Sequence, residues 1–74
     1  MPARNYFVEL RQDWIADMLH VYGYIGRVHL CRKFNISPQQ ATIDINLFNK
    51  ARPNEMRYCL SKRRYIATTK ELQA

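Results

Sequence analysis

Between Ser37 and Asn46 the chain reads Ser-Pro-Gln-Gln-Ala-Thr-Ile-Asp-Ile-Asn, a run of short polar side chains suited to reading base edges. Glutamine and asparagine each hold a donor beside an acceptor, which is the pattern adenine presents through N6 and N7 in the major groove. On a helix the outward positions of this run would be Gln39, Gln40, Thr42, Ile43 and Asn46, with Ile43 able to meet a thymine methyl. Gln40 ranks below Gln39 and Asn46, because helix capping also competes for it. Asp44 would repel phosphate and is expected to turn toward its own protein and hold an arginine. A second group, Lys62-Arg63-Arg64, could bind phosphates, supplying affinity and register but little sequence information. Ser37, Arg27, Lys50 and Arg52 are further candidates for phosphate contact. The plainer readings are a polar helix face, against which the order of elements argues, and a charged hairpin tip that resists aggregation.

Other chemistry finds little support. His29-x-Cys31 invites a metal, but on a helix the two side chains diverge, and only His20 and Cys59 remain to complete four zinc ligands. No metal and no cofactor are therefore expected. Neither a Ser/His/Asp set, a glycine-rich phosphate loop nor a carboxylate pair is visible, so no enzyme activity is expected. Cys31 reads as a small core residue.

The chain has 74 residues, with 12 Lys and Arg against 6 acids and a formal charge of +6. That length suits one compact domain, residues 1–74, whose core supplies only about 3–5 kcal/mol. A basic domain this small favours a polyanion as partner. Glu9, Asp13 and Asp17 lie in the first third, and Arg57, Lys62, Arg63 and Arg64 crowd the last, so the positive field should occupy one side. Two cysteines make no disulfide framework, no signal peptide is expected, and no apolar run approaches membrane length. The expectation is a cytoplasmic, nucleoid-associated protein with no membrane contact. Self-association would make up for the small core.

The elements that position these residues follow from periodicity and breakers. Phe7, Leu10, Trp14, Met18 and Tyr22 recur at helical spacing, predicting a helix over about 5–22 that Gly23 ends. Ile15, Leu19 and Val21 widen the apolar stripe beyond the needs of one small core. Tyr24-Ile25 is a short extended piece closed by Gly26. A second helix is predicted over about 27–34, with Val28, Leu30, Cys31 and Phe34 inward. After the tight Asn35-Ile36 connection, Ser37 is an N-cap, Pro38 suits the first helical position, and Gln40 completes the S-x-x-Q box. The third helix should reach about Asn49, with Ala41, Ile45 and Phe48 inward. Pro53-Asn54 breaks it, and Met56, Tyr58 and Leu60 then alternate with Arg57 and Cys59 as a half-buried strand. A polar turn at Ser61-Lys62-Arg63 and a returning strand from Arg64 to Ala67 complete a wing over about 56–67. The order helix, strand, helix, tight turn, helix, hairpin predicts a mainly α winged helix-turn-helix.

Several ordered features carry a family resemblance. They are Gly23 and Arg27, Leu30, Phe34-Asn35-Ile36-Ser37, Gln40-Ala41-Thr42, Asp44-Ile45, Pro53, and the wing tyrosines Tyr58 and Tyr65. The resemblance covers about Phe7 to Thr68. The chain resembles the N-terminal winged helix of the WYL-domain transcription regulators of bacteriophage-exclusion and related defence loci, and more loosely the DeoR-type repressors. The resemblance implies a DNA-binding domain. Family members continue into a ligand-sensing domain, so the chain is either free-standing or the DNA-binding fragment of a larger regulator, and no small-molecule effector is expected of it. Cys59 stands where family members often carry an acid after the first wing tyrosine.

The function expected is sequence-specific binding of double-stranded DNA as a transcriptional repressor. A homodimer is expected through the first helix, with Tyr6, Trp14 and Tyr22 at its interface. The alternative is a winged-helix module that docks on a protein, which would expose larger apolar anchors on the third helix. An RNA-binding role lacks an aromatic stacking surface.

Overall fold

The computed structural model describes residues 6–68. Its elements are α1 (Tyr6–Val21), β1 (Tyr24–Ile25), α2 (Arg27–Phe34), α3 (Pro38–Ala51), β2 (Met56–Cys59) and β3 (Arg64–Ala67). The expected start of the first helix at Asn5 lies outside the described residues. The third helix runs two residues past its expected end at Asn49.

Local chemistry explains most of the boundaries. At the end of α1 the N–H groups of Tyr22 and Gly23 both donate to the Met18 carbonyl, at 2.8 and 2.9 Å. Gly23 sits at φ 85°, where a side chain would be strained, and its carbonyl accepts from Ala67 N at 2.9 Å. The end of the first helix is thereby fastened to β3. α2 opens on Gly26, whose N–H donates to Nδ1 of His29 at 2.9 Å. Asn35 ends the helix in the left-handed region at φ 55°. α3 begins as its residues predict, with Ser37 Oγ accepting from Gln40 N at 3.1 Å and Pro38 in the first turn.

β2 and β3 pair antiparallel with Met56 opposite Ala67 and Cys59 opposite Arg64. β1 adds to the far edge of β3, with Ile25 opposite Tyr65, giving the order β1-β3-β2. The short extended piece between the two glycines is thus the third strand of the wing sheet. Tyr58 and Tyr65 stand opposite each other with ring centroids 5.0 Å apart in an edge contact, a favourable cross-strand pair. The loop 60–63 closes through Arg63 N donating to Cys59 O at 2.7 Å. Three helices and a small antiparallel sheet in this order make a winged helix-turn-helix.

The core collects Ile15 and Leu19 of α1, Ile25 of β1, Leu30 of α2, Ala41, Ile45 and Phe48 of α3, and Met56 and Ala67 of the wing. On α1 this differs from the periodic reading. Ile15 and Leu19 are the innermost residues, whereas Phe7, Leu10 and Tyr22 are exposed. The apolar arc of the helix is wide enough to admit either rotation, and Arg11, one turn before Ile15, selects this one by pairing with Asp44. Val28 is likewise exposed, leaving Leu30 as the buried residue of α2 with Cys31 and Phe34 partly covered. Of the expected strand residues only Met56 is buried. Tyr58 faces out, and Leu60 falls in the turn, 82% exposed. Among the described residues no helix is long and apolar enough to cross a membrane.

Candidate nucleic-acid interface

α3 buries Ala41, Asp44, Ile45 and Phe48. Successive residues on a helix are about 100° apart, so the opposite side is a stripe of Gln39, Ile43, Asn46 and Lys50. All four are exposed. Three of the residues expected to read bases therefore share one outward face with a lysine at its far end. Ile43 and Leu47 are the large apolar residues exposed on this helix.

The other two expected base readers lie on the flanks. Thr42, on the α2 side, donates its hydroxyl to the Pro38 carbonyl at 3.0 Å and accepts from Arg27 Nη1 at 3.4 Å. Gln40, on the α1 side, is half-buried and donates Nε2 to Asp44 Oδ1 at 3.1 Å. Capping was the expected diversion of Gln40. Its backbone N–H does serve the cap, but its side chain is taken by Asp44.

Asp44 is the buried charge on which the helix is set. Its carboxylate is 1% exposed and accepts from Arg11 Nε at 2.6 Å and Nη2 at 3.3 Å. Gln12 Nε2 donates to the Asp44 carbonyl at 2.8 Å. A buried carboxylate without a partner would be costly, and here a guanidinium and an amide satisfy it. The acid does hold an arginine. Arg11 and Gln12 were not singled out by sequence, and the lone acid on α3 was the signal that a partner existed.

The basic candidates divide into two sets. Lys62 and Arg63 are exposed at the wing tip, and Arg27, Lys50 and Ser37 are exposed near α3. Arg27 and Arg63 both line a cleft of about 490 Å³ whose walls include Val28, Cys31 and Pro38. The start of α2, the start of α3 and the wing tip thus converge on one basic slot. Ser37 Oγ is engaged in the cap but keeps its own hydroxyl hydrogen. By contrast Arg64 and Arg52 lie against rings of their own chain. The Arg64 guanidinium stands 4.5 Å from the Tyr24 ring centroid and that of Arg52 stands 5.2 Å from Phe48.

Behind Arg64, the Tyr24 ring contacts His29 at a centroid distance of 5.4 Å. Burial holds the His29 imidazole below its ordinary pKa, and Arg64 and Arg32 add to the effect. A neutral imidazole with Nδ1 unprotonated is what the Gly26 N–H requires. This engagement also leaves the His29/Cys31 pair unsuited to metal, and among the described residues no group of three or more His, Cys, Asp or Glu could hold one. Both cysteines are free thiols. Cys59, next to Ser61 at 3.3 Å, has its thiol pKa lowered chiefly by that hydrogen bond and then by the Lys62 backbone.

Of the residues expected at a dimer interface, Tyr6 and Tyr22 are exposed, 68% and 65%. Trp14 is not an outer residue. It is half-buried, packed against the core and in edge contact with Phe34 at 5.6 Å.

A family model for the winged helix-turn-helix domain of the BrxR transcriptional regulator matches residues 4–72. The chain belongs to this family. The resemblance to the winged helix of the WYL-type regulators is borne out, and with it the fold. A BrxR-type winged helix is a DNA-binding domain of a transcription regulator, which accounts for a polar α3 face beside a basic wing. A comparison with curated proteins gave no match.

Proposed function

We propose that this BrxR-type domain is a sequence-specific repressor that lays α3 in the major groove of double-stranded DNA. The observation that carries the reading is the outward stripe Gln39, Ile43, Asn46 and Lys50 on a helix fastened from behind by Asp44. Gln39 and Asn46 are suited to adenine edges, and Ile43 with the Thr42 methyl to thymine methyls. Arg27 and Arg63 flank the slot through which a phosphate backbone would pass, and Lys62, Lys50 and the Ser37 hydroxyl add further phosphate contacts. Arg64 and Arg52, held against Tyr24 and Phe48, rank below them.

The domain acts as a homodimer through the exposed apolar start of α1, where Tyr6, Phe7 and Leu10 cluster, with Tyr22 at the other end. Two half-sites about 34 Å apart, or a multiple of that, fit such a dimer. With α3 and the wing on DNA and α1 on the second copy, the bound dimer would cover the duplex, which supports repression. No effector, cofactor or catalytic step enters this scheme.

The test is a gel shift with duplexes flanking the protein's own gene, followed by transcription from that promoter with and without the protein. Specific retardation and lowered transcription support the reading. Retardation that random DNA competes away equally well contradicts it.

A further inference from the structure

Gln40 stands in the first turn of α3, the part of a recognition helix that reaches base edges first. Its side chain is half-buried and donates through Nε2 to the Asp44 carboxylate four residues on. Asp44 is itself held on several sides. It is buried, bound through Nε and Nη2 of Arg11, and carried on a carbonyl that Gln12 also holds. A carboxylate facing a guanidinium accepts hydrogen bonds and donates none. The Gln40 amide can therefore meet it through Nε2 alone, and the amide is not free to flip.

We infer that Asp44 acts as a positioning residue for base recognition, holding the Gln40 amide so that Oε1 faces the groove. This rests on the reading of α3 as the base-reading helix. A free glutamine can turn either its acceptor or its donors toward a base edge. One locked with its oxygen outward selects a base that offers an amino group, namely adenine through N6 or cytosine through N4. Guanine O6 and thymine O4 facing Oε1 would meet like partial charge and are disfavoured. The Nε2 hydrogen not used by Asp44 can also reach adenine N7, which favours adenine of the two. Arg11 and Asp44 thereby connect a packing contact on α1 to the choice of base at one position.

The experiment selects binding sequences from a randomised duplex pool with the unmodified protein and with Gln40→Ala, Asp44→Asn and the double variant, each checked for helical circular dichroism. The unmodified protein should prefer adenine or cytosine at one position, and Gln40→Ala should relax that position alone. Asparagine at 44 offers a donor as well as an acceptor, so Asp44→Asn should relax the same position and add nothing in the Gln40→Ala background. In the unmodified protein, removing the exocyclic amino group from the selected base should weaken binding about tenfold, and Gln40→Ala should not register that removal.

A Gln40→Ala selection identical to that of the unmodified protein makes Gln40 a structural brace and overturns the inference. So does a preference for guanine or thymine at the Gln40-dependent position, or a folded Asp44→Asn protein that keeps the full preference. Should Asp44→Asn not fold, the amino-deleted duplex decides, and equal losses for the unmodified protein and Gln40→Ala overturn the inference. A pool that yields no preferred sequence at all is a different result, because it removes the base-reading role of α3 itself.

Discussion

The Arg11 guanidinium binds the buried carboxylate of Asp44 at 2.6 Å, joining α1 to the helix that presents the candidate base-reading face. The pair spans 33 positions of sequence and fixes how both helices are rotated about their axes. Removing one partner should be far worse than removing both. Arg11→Met leaves a buried charge with only amide partners and should destabilise the domain by about 3–5 kcal/mol. Adding Asp44→Leu should recover most of that loss, since an apolar pair of similar volume avoids the desolvation cost. Urea denaturation of the single and double variants checks this, and a double variant no more stable than Arg11→Met would contradict it.

Acid should loosen the domain through His29. Burial first, then Arg64 and Arg32, lower its pKa in the folded state from the ordinary 6.5. The unfolded chain thus takes up a proton at higher pH than the folded one. The stabilising contribution is complete above pH 6.5, declines as pH falls below it, and levels off beneath the lowered folded value. His29→Asn can still accept the Gly26 N–H and removes this titration. Urea midpoints between pH 8 and pH 5 should fall more for the unmodified protein than for this variant.

How much of this was legible in sequence depended on how local the cause was. The cap on α3 needs only Ser37, Pro38 and the N–H three residues on, and it forms as its residues indicate. The glycines at 23 and 26 bracket β1, and Ala41, Ile45 and Phe48 face inward as their spacing requires. The rotation of α1 was not legible. Its apolar residues cover an arc wider than the core, and the contact that chooses among rotations lies in Asp44, far along the chain. Phe7 and Leu10, on the periodic stripe, are thus exposed, and Trp14, expected at a dimer interface, is half-buried against the core. At the site, the outward stripe follows from helical spacing alone. The withdrawal of Arg64 and Arg52 onto aromatic rings depends on tertiary neighbours that composition does not reveal.

Arg63 separates stability from binding. It occupies the left-handed region at φ 55°, where a side chain costs about 1–2 kcal/mol that glycine avoids, less the extra freedom glycine has when unfolded. Arg63→Gly should leave stability unchanged or raise it by up to about 1 kcal/mol. It should weaken binding to every duplex alike and reduce the salt dependence by about 0.9 for each phosphate no longer neutralised. Thermal melts and titrations at several salt concentrations measure the two effects independently. Loss of stability together with unchanged DNA affinity would contradict both halves.

Chelation should be without effect. With His29 Nδ1 accepting from Gly26, the metal-binding reading of the histidines and cysteines has no foothold there. Melting temperature and DNA affinity measured with and without a strong chelator should coincide. A fall in either would mean that these side chains meet a metal after all.

The most direct measurement of the central claim is the ratio of affinities for a selected duplex and a random one, taken for Gln39→Ala, Asn46→Ala and Arg63→Ala. The first two remove exposed side chains from the outward face of α3 and should lower affinity for the selected duplex by about 1–3 kcal/mol each. Their affinity for random DNA and their salt dependence should barely change. Arg63→Ala should lower both affinities together and leave the ratio intact. If all three proteins are folded and the ratio is unchanged in Gln39→Ala and Asn46→Ala, α3 is not the element that reads sequence.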